Sequence, residues 1–362
     1  MELEIVTFKD VIDGYQPKGD YYGLASYALA EPRKTAFLSN PFLTDTSKAM
    51  LLLAREDGKI VGRNMYIPSK VKVGEEIIDT VSGSALMVAD DYRSSDAGIM
   101  LMSYMMQHRE YNATVVSVFS RVAAKCHKAI GSKMLTFSRL IQIRSIRKML
   151  YMTGVPSLLS YPLGLLSSIL YYPFRYYTFL KGKKLIGRDR VEKVARVPEW
   201  VDEIVLNDGH QYMEVHDHKW LQWNLDNQFH EHCSNDTRFY TVSSFDGVNI
   251  GFFMIKERYE KLNVSSKQSL LMGSVVEWGT RMSELLDEYT LHLMALYSFS
   301  KKVDLVFMAS ADNSVVKRLK KHFILQKGEA EVAFKDMTKR FKDAKDKNLW
   351  RLRYGYADTI LG

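Results

Sequence analysis

The sequence predicts an α/β (α+β) fold: two mixed-sheet domains in tandem, with a helical insert between them that is first apolar and then basic. Three observations predict it. The chain has 362 residues, 46% hydrophobic and 25% charged, enough to bury more than one core and too apolar to be disordered. One order of strands and helices occurs twice, at an offset of about 190 residues. Between the copies, Tyr151 to Phe174 runs for 24 residues without a charge. The expected divisions are 1–150, 151–200 and 201–362.

In the first copy, Ala49 to Arg55 reads as a strand, Asp57-Gly58 as a hairpin turn and Lys59 to Tyr66 as the partner strand. Glu75 to Thr80 and Gly83 to Ala89 read as two further strands. Gly98 to Tyr111 is a Met-rich helix and Ala113 to Phe119 a buried strand of β-branched residues. The methionines at 87, 100, 102, 105 and 106 read as core fillers. Residues 122–130 form a short helix closed by Gly131. The second copy repeats the series. Arg238 to Phe245, Asp246-Gly247 and Val248 to Lys256 make its hairpin. Leu270 to Trp278 is a strand, Ser283 to Lys301 a long helix, Val303 to Ala309 a buried strand and Asn313 to His322 a short helix.

The insert is read from its flanks. Pro156, Pro162, Pro173, Gly164 and four serines argue against one continuous helix. Arg139, Arg144, Arg147 and Lys148 precede it. Between Arg175 and Arg196 stand eight Lys/Arg against Asp189 and Glu192, so most of the net charge of +8 sits in that segment. Positive charge on both sides keeps both ends on one side of a bilayer. A segment lying in the interface of an anionic membrane, with lysines and tyrosines at headgroup level, fits 151–196. The competing reading is an apolar helical pair covering the seam between the domains. Two cysteines, Cys126 and Cys233, and an acidic, alternating N-terminus without a basic start or apolar run point to the cytoplasm, peripherally at the inner membrane face.

A strand that feeds a loop of small residues and then a helix aims several backbone N–H groups at one place, an anion site suited to a pyrophosphate. Val88 to Ile99 (VADDYRSSDAGI) has this form. It resembles the acyl-coenzyme A loop of the GNAT superfamily of N-acetyltransferases, R/Q-x-x-G-x-G/A: Arg93 and Gly98 take the first and last positions, and Asp96 stands where the middle glycine is expected. The family's next landmark is an Asn at a strand end, then a helix with Tyr and Gly-Phe. Here Ser120, His127 and Gly131-Ser132 hold those positions, so the spacing is kept while the side chains differ. Ser84 to Ala89 resembles the splayed strand whose backbone meets the pantetheine arm. The resemblance covers roughly residues 48–145 and 238–358. In the second copy, Arg281-Met282-Ser283-Glu284 opens the helix without a glycine and with an added acid, and Trp350 to Asp358 resembles a closing strand.

The resemblance implies that acetyl-CoA, or another acyl-CoA, is a cosubstrate held by Met87, Val88, Ala89, Arg93, Ser94, Ser95, Asp96, Ala97, Gly98, Ile99 and Ser120. It also implies that His127 is the general acid, a role suited to a side chain that titrates near neutrality. Backbone N–H groups near Val88 and Ala89 would serve the oxyanion. Asp79, Asp90, Asp91, Glu110 or a water would be the base. Asp96 is expected to cap the helix and repel a pyrophosphate, weakening affinity by roughly tenfold to several hundredfold. Five of nine histidines fall between His210 and His232, but pairs two apart on a helix point apart, so no metal is expected. Trp220 and Trp223 read as a core-facing stripe.

The reading is an N-acyltransferase that moves an acetyl or acyl group to an amine-bearing small molecule or saccharide, such as a membrane-associated amino sugar. A GNAT-fold binding or scaffold protein without catalysis is one alternative. The other resembles FemAB-like transferases that use aminoacyl-tRNA. Charge confined beside an aromatic segment, and not spread along a groove, argues against nucleic acid.

Overall fold

The structure, a computed structural model, describes residues 1–118, 121–152, 155–227, 235–261, 269–281 and 284–355. The first half runs β1 (Glu2–Thr7), α1 (Phe8–Ile12), α2 (Leu24–Ala28), α3 (Glu31–Leu38), β2 (Ala49–Glu56) and β3 (Lys59–Val73). It continues with β4 (Glu76–Val88), α4 (Ala97–His108), β5 (Ala113–Val118), α5 (Arg121–Ala129) and β6 (Lys133–Ile143). Two helices follow, α6 (Ile146–Met152) and α7 (Ser157–Arg188). The second half runs β7 (Arg190–Val194), α8 (Val201–Leu206), β8 (Tyr212–Glu214), α9 (His218–Asp226), β9 (Asn235–Ser243) and β10 (Asn249–Lys261). It ends with β11 (Ser269–Thr280), α10 (Glu288–Ser298), β12 (Leu305–Ser310), α11 (Asn313–Lys320) and β13 (Leu325–Asp336).

Among the described residues one sheet takes up all these strands, in the order β1-β2-β3-β4-β5-β13-β6-β12-β11-β10-β9-β7, with β8 added on β3. Read from either end, the series is the same apart from β8. The two closing strands are exchanged: β13 lies between β5 and β6, and β6 lies between β13 and β12. Each half thus completes the other's ladder, and no seam in hydrogen bonding separates them. A second tie is apolar. Trp220 and Trp223 of α9 are buried, Trp220 stacks on Phe42 at 5.5 Å, and the Trp223 indole donates to the Ala36 carbonyl at 2.9 Å.

The hairpin turns at Asp57-Gly58 and Asp246-Gly247 form where expected, with Asp57, Gly58 and Gly247 at positive φ. Four expectations are corrected. Residues 75–80 and 83–89 are not two strands but the single strand β4. It stays continuous because a bulge at Ala85-Leu86, with Ala85 at φ 53°, absorbs the break. The helix expected from Ser283 starts only at Glu288, where the Asp287 side chain accepts the Thr290 amide. Trp350 to Arg353 lies outside any strand, with one bridge from Trp350 to Tyr212, and Tyr354-Gly355 is a turn, because β13 already closes the sheet; residues 356–358 lie outside the described residues. Finally, the prolines do not break the insert. Pro156 is the N-cap of α7, and Pro162 and Pro173 lie inside one 32-residue helix. Each removes one amide from the ladder, and packing on α6 and α10 offsets the loss.

Candidate active site

The two halves diverge where their central strands part. β4 pairs with β5 only over Thr80–Ser82 against Ala113–Val115. Beyond Ser82, β4 runs on to Val88, and among the described residues no strand covers that edge. A twisted strand that leaves its neighbour in this way exposes backbone N–H and C=O groups in a wedge. The wedge leads into the turn at 90–92 and the start of α4. Met87 is exposed, with its sulfur 3.8 Å from the Arg63 guanidinium, Val88 is half-buried and Ala89 is buried. Ser94 and Asp96 are exposed, Ser95 and Gly98 half-buried, Ala97 fully buried and Ile99 52% exposed. Met87 is therefore not a core filler, unlike the buried Met102 and Met105. Ser120 lies outside the described residues.

Asp96 does not do what its position suggests. It is the N-cap residue, yet its side chain accepts no capping hydrogen bond. Ser95 Oγ, itself donating to the Tyr92 carbonyl at 2.7 Å, receives the Ala97 amide at 3.4 Å. The amides of Gly98 and Ile99 make no bond to any described residue. The expected filling of the anion site by Asp96 is thus overturned, because its backbone (φ −78°, ψ 1°) is not the extended one that points a cap side chain back at the helix. Arg93 pairs with Asp90 at 2.6 Å, both well exposed.

The second half fills the gap between its strands and caps its helix. β11 pairs with β12 only over Met272–Ser274 against Leu305–Phe307, and it too carries a bulge, at Val276. Here the chain's own tail enters the gap. The Gly355 amide donates to the Val276 carbonyl at 2.8 Å, Tyr354 stacks on Phe307, and Arg351 donates to the Trp278 carbonyl at 2.6 Å. Asp287 caps α10 and is gripped by Arg318. Burial pushes the Asp287 carboxyl up, but the Thr290 and Arg318 hydrogen bonds outweigh it and hold it below the ordinary value. A cavity of about 990 Å³ remains at the end of β11 and the start of α10, lined by Trp278, Arg281, Asp287, Arg318 and Arg351 among others. Arg281, Arg318 and Arg351 already hold Glu203, Asp287 and Asp208.

Beneath the tail lies a fully buried ion cluster. Glu277 binds both Arg353 and His216, and Glu214 receives Ser69 at 2.8 Å and lies 3.4 Å from the other nitrogen of His216. Burial pushes Glu277 up, yet Arg353 and His216 overcome it and bring its pKa down to about 2. Burial works against a charge on His216, and the two carboxylates raise its pKa nonetheless.

No family model matches the chain, and no curated protein sequence matches it. Solved structures do. A GCN5-related N-acetyltransferase from Anabaena variabilis ATCC 29413 superimposes with a TM-score of 0.53 at 9% identity, over 93% of this chain and 72% of that one. Saccharomyces cerevisiae N-myristoyltransferase with bound myristoyl-CoA and inhibitors superimposes with a TM-score of 0.52 at 12% identity, over 92% and 79%. The chain has the GNAT fold.

On that fold the expected catalytic groups do not gather equally. His127, on α5, is buried, and no described hydrogen bond or ion pair links it to residues 87–99. Burial pushes its pKa down, so the imidazolium that a general acid needs is scarce near neutral pH. The state it favours is the neutral, proton-accepting ring. Glu110 is committed to structure, accepting Tyr104 at 2.6 Å and the Ala49 amide at 3.0 Å. Asp79, Asp90 and Asp91 are exposed, with Asp90 held by Arg93 and Asp91 3.4 Å from the Tyr22 hydroxyl.

Proposed function

We propose that the first GNAT-like half binds an acyl-CoA and transfers its acyl group to an amine, and that the second half is the structural copy. The observation that carries this is the contrast at the splay: open backbone and unbonded amides at β4 and α4, against a gap filled by the tail at β11. In this reading the Gly98 and Ile99 amides and Arg93 hold the pyrophosphate, and the edge of Ser84–Val88 holds the pantetheine arm. The amine nitrogen attacks the thioester carbonyl, and the Val88 N–H faces the oxyanion, since the Ala89 amide, the other donor expected there, is taken by the Val61 carbonyl at 2.9 Å. The C–S bond then breaks, and the nitrogen's proton ends on the coenzyme A sulfur, giving an amide and a free thiol. The acceptor we assign is an amine-bearing small molecule or saccharide, such as an amino sugar held at a membrane, and the acyl group we assign first is acetyl.

Calorimetry with acetyl-CoA tests the site, and release of free thiol with a panel of amines tests the chemistry. Binding that is lost in Gly98→Glu and retained in Asp287→Ala supports the reading. Absence of binding by both the wild-type chain and Asp96→Gly would leave a GNAT-fold binding protein without the cosubstrate.

A further inference from the structure

We infer that α7 is a docking helix for an anionic lipid surface, lying along it with the protein on one side and acyl chains on the other. The helix is turned inside out relative to an ordinary surface helix. Its protein-facing stripe is small or polar, at the spacing of one helical face. Ser160 is buried. A Cβ on Gly164 would stand 2.8 Å from the Arg147 backbone, and one on Gly182 would stand 2.8 Å from the Leu293 carbonyl. Arg175 donates to the Arg144 carbonyl at 2.6 Å, and Thr178 bonds His322 at 3.2 Å.

The large apolar side chains point the other way. Leu158 is 84% exposed, Leu166 57%, Ile169 62% and Leu170 67%, with Tyr172 and Tyr176 stacked on each other beside them. A soluble surface does not leave such a contiguous row bare without a partner. The same outward face continues into Lys183 and Lys184, both exposed.

Charge decides the occupant. The 32 residues of α7 contain five Lys/Arg and no acid. A second copy laid antiparallel would set Lys183 and Lys184 against bare leucines, and one laid parallel would set cations against cations. An anionic bilayer accepts both parts: leucines enter the acyl boundary while lysines and tyrosines stay among headgroups. Among the described residues no helix is long and apolar enough to cross a membrane, so the geometry is interfacial. This surface stands apart from acyl transfer, since it is read without acyl-CoA.

Flotation of the full chain with vesicles of phosphatidylglycerol in phosphatidylcholine, against phosphatidylcholine alone, tests it. The wild-type chain is expected to float with the anionic vesicles. Leu166→Glu/Ile169→Glu/Leu170→Glu should weaken partition at least about tenfold, and Lys183→Glu/Lys184→Glu about tenfold on anionic vesicles only, an effect reproduced by high salt. Hydrogen exchange of the wild-type chain with and without vesicles should show new protection in 157–174, which stands even if a variant fails to fold. No flotation, equal partition of folded variants, or no new protection would overturn the inference. So would a solution dimer that Leu166→Glu/Ile169→Glu/Leu170→Glu dissociates, because the face would then belong to a second copy.

Discussion

The two splays of this sheet are built alike and finished differently. At β4 the chain stops pairing with β5 at Ser82, places small Ala85 in a bulge, and leaves the Gly98 and Ile99 amides of α4 unbonded. At β11 it stops pairing with β12 at Ser274, places Glu277 beside the bulge, and packs its own tail into the gap under a capped helix. The lesson is that one frame serves either as a ligand wedge or as a structural joint. What separates them is whether protein already supplies the hydrogen-bond partners that a ligand would bring.

The comparison breaks most visibly at the joint. Glu277→Ala strands Arg353 and His216 in a buried site and is expected to cost about 3–5 kcal/mol in urea unfolding, while any acyl-CoA binding by the folded fraction persists. The pH dependence follows with the same cluster. Glu277 has a depressed pKa, so its contribution is complete above the unfolded value of about 4.3 and is lost as pH falls toward about 2. His216 has a raised pKa, so its contribution is complete below about 6.5 and is lost as pH rises through the folded value. Wild-type stability should therefore peak between these limits, and Glu277→Ala should flatten both slopes. A wild-type curve with no acid limb would count against the joint.

At the wedge, opposite-signed changes sharpen the contrast. Gly98→Glu should weaken acetyl-CoA binding at least about tenfold, and Asp96→Gly, which removes a charge without removing a cap, should tighten it by about tenfold, both read by calorimetry. Asp287→Ala should cost about 1 kcal/mol of stability yet create no second acetyl-CoA site, since the tail still fills that gap. The smallest effect concerns His127. If its neutral ring takes a proton during turnover, kcat/KM should fall only at pH below the ordinary histidine value, and His127→Gln should abolish that limb.

Much of this was legible along the chain. Alternation and β-branching marked β2, β3, β5, β9 and β12, the Asp-Gly turns marked both hairpins, and Trp220 and Trp223 read correctly as core. Other features were not legible, because they depend on partners distant in sequence. Asp96 stands at the N-cap, and only the backbone angle shows that its side chain makes no capping bond. His216 sat in a histidine-rich stretch that read as helical, whereas it precedes α9 and meets Glu277 from another strand. Pro162 and Pro173 argued against a helix, since local propensity could not see Gly164 and Gly182 seated on α6 and α10.

Composition and spacing alone determined that two copies of one strand–helix unit flank an apolar and basic insert, because periodicity and turn chemistry are local and survive without context. Which copy stays open was decided by tertiary structure. The path of the tail brings residues 350–355 against β11, while among the described residues no strand and no such segment fills the edge of β4 beyond Ser82, and hydrogen bonds between such distant groups leave no mark on local sequence.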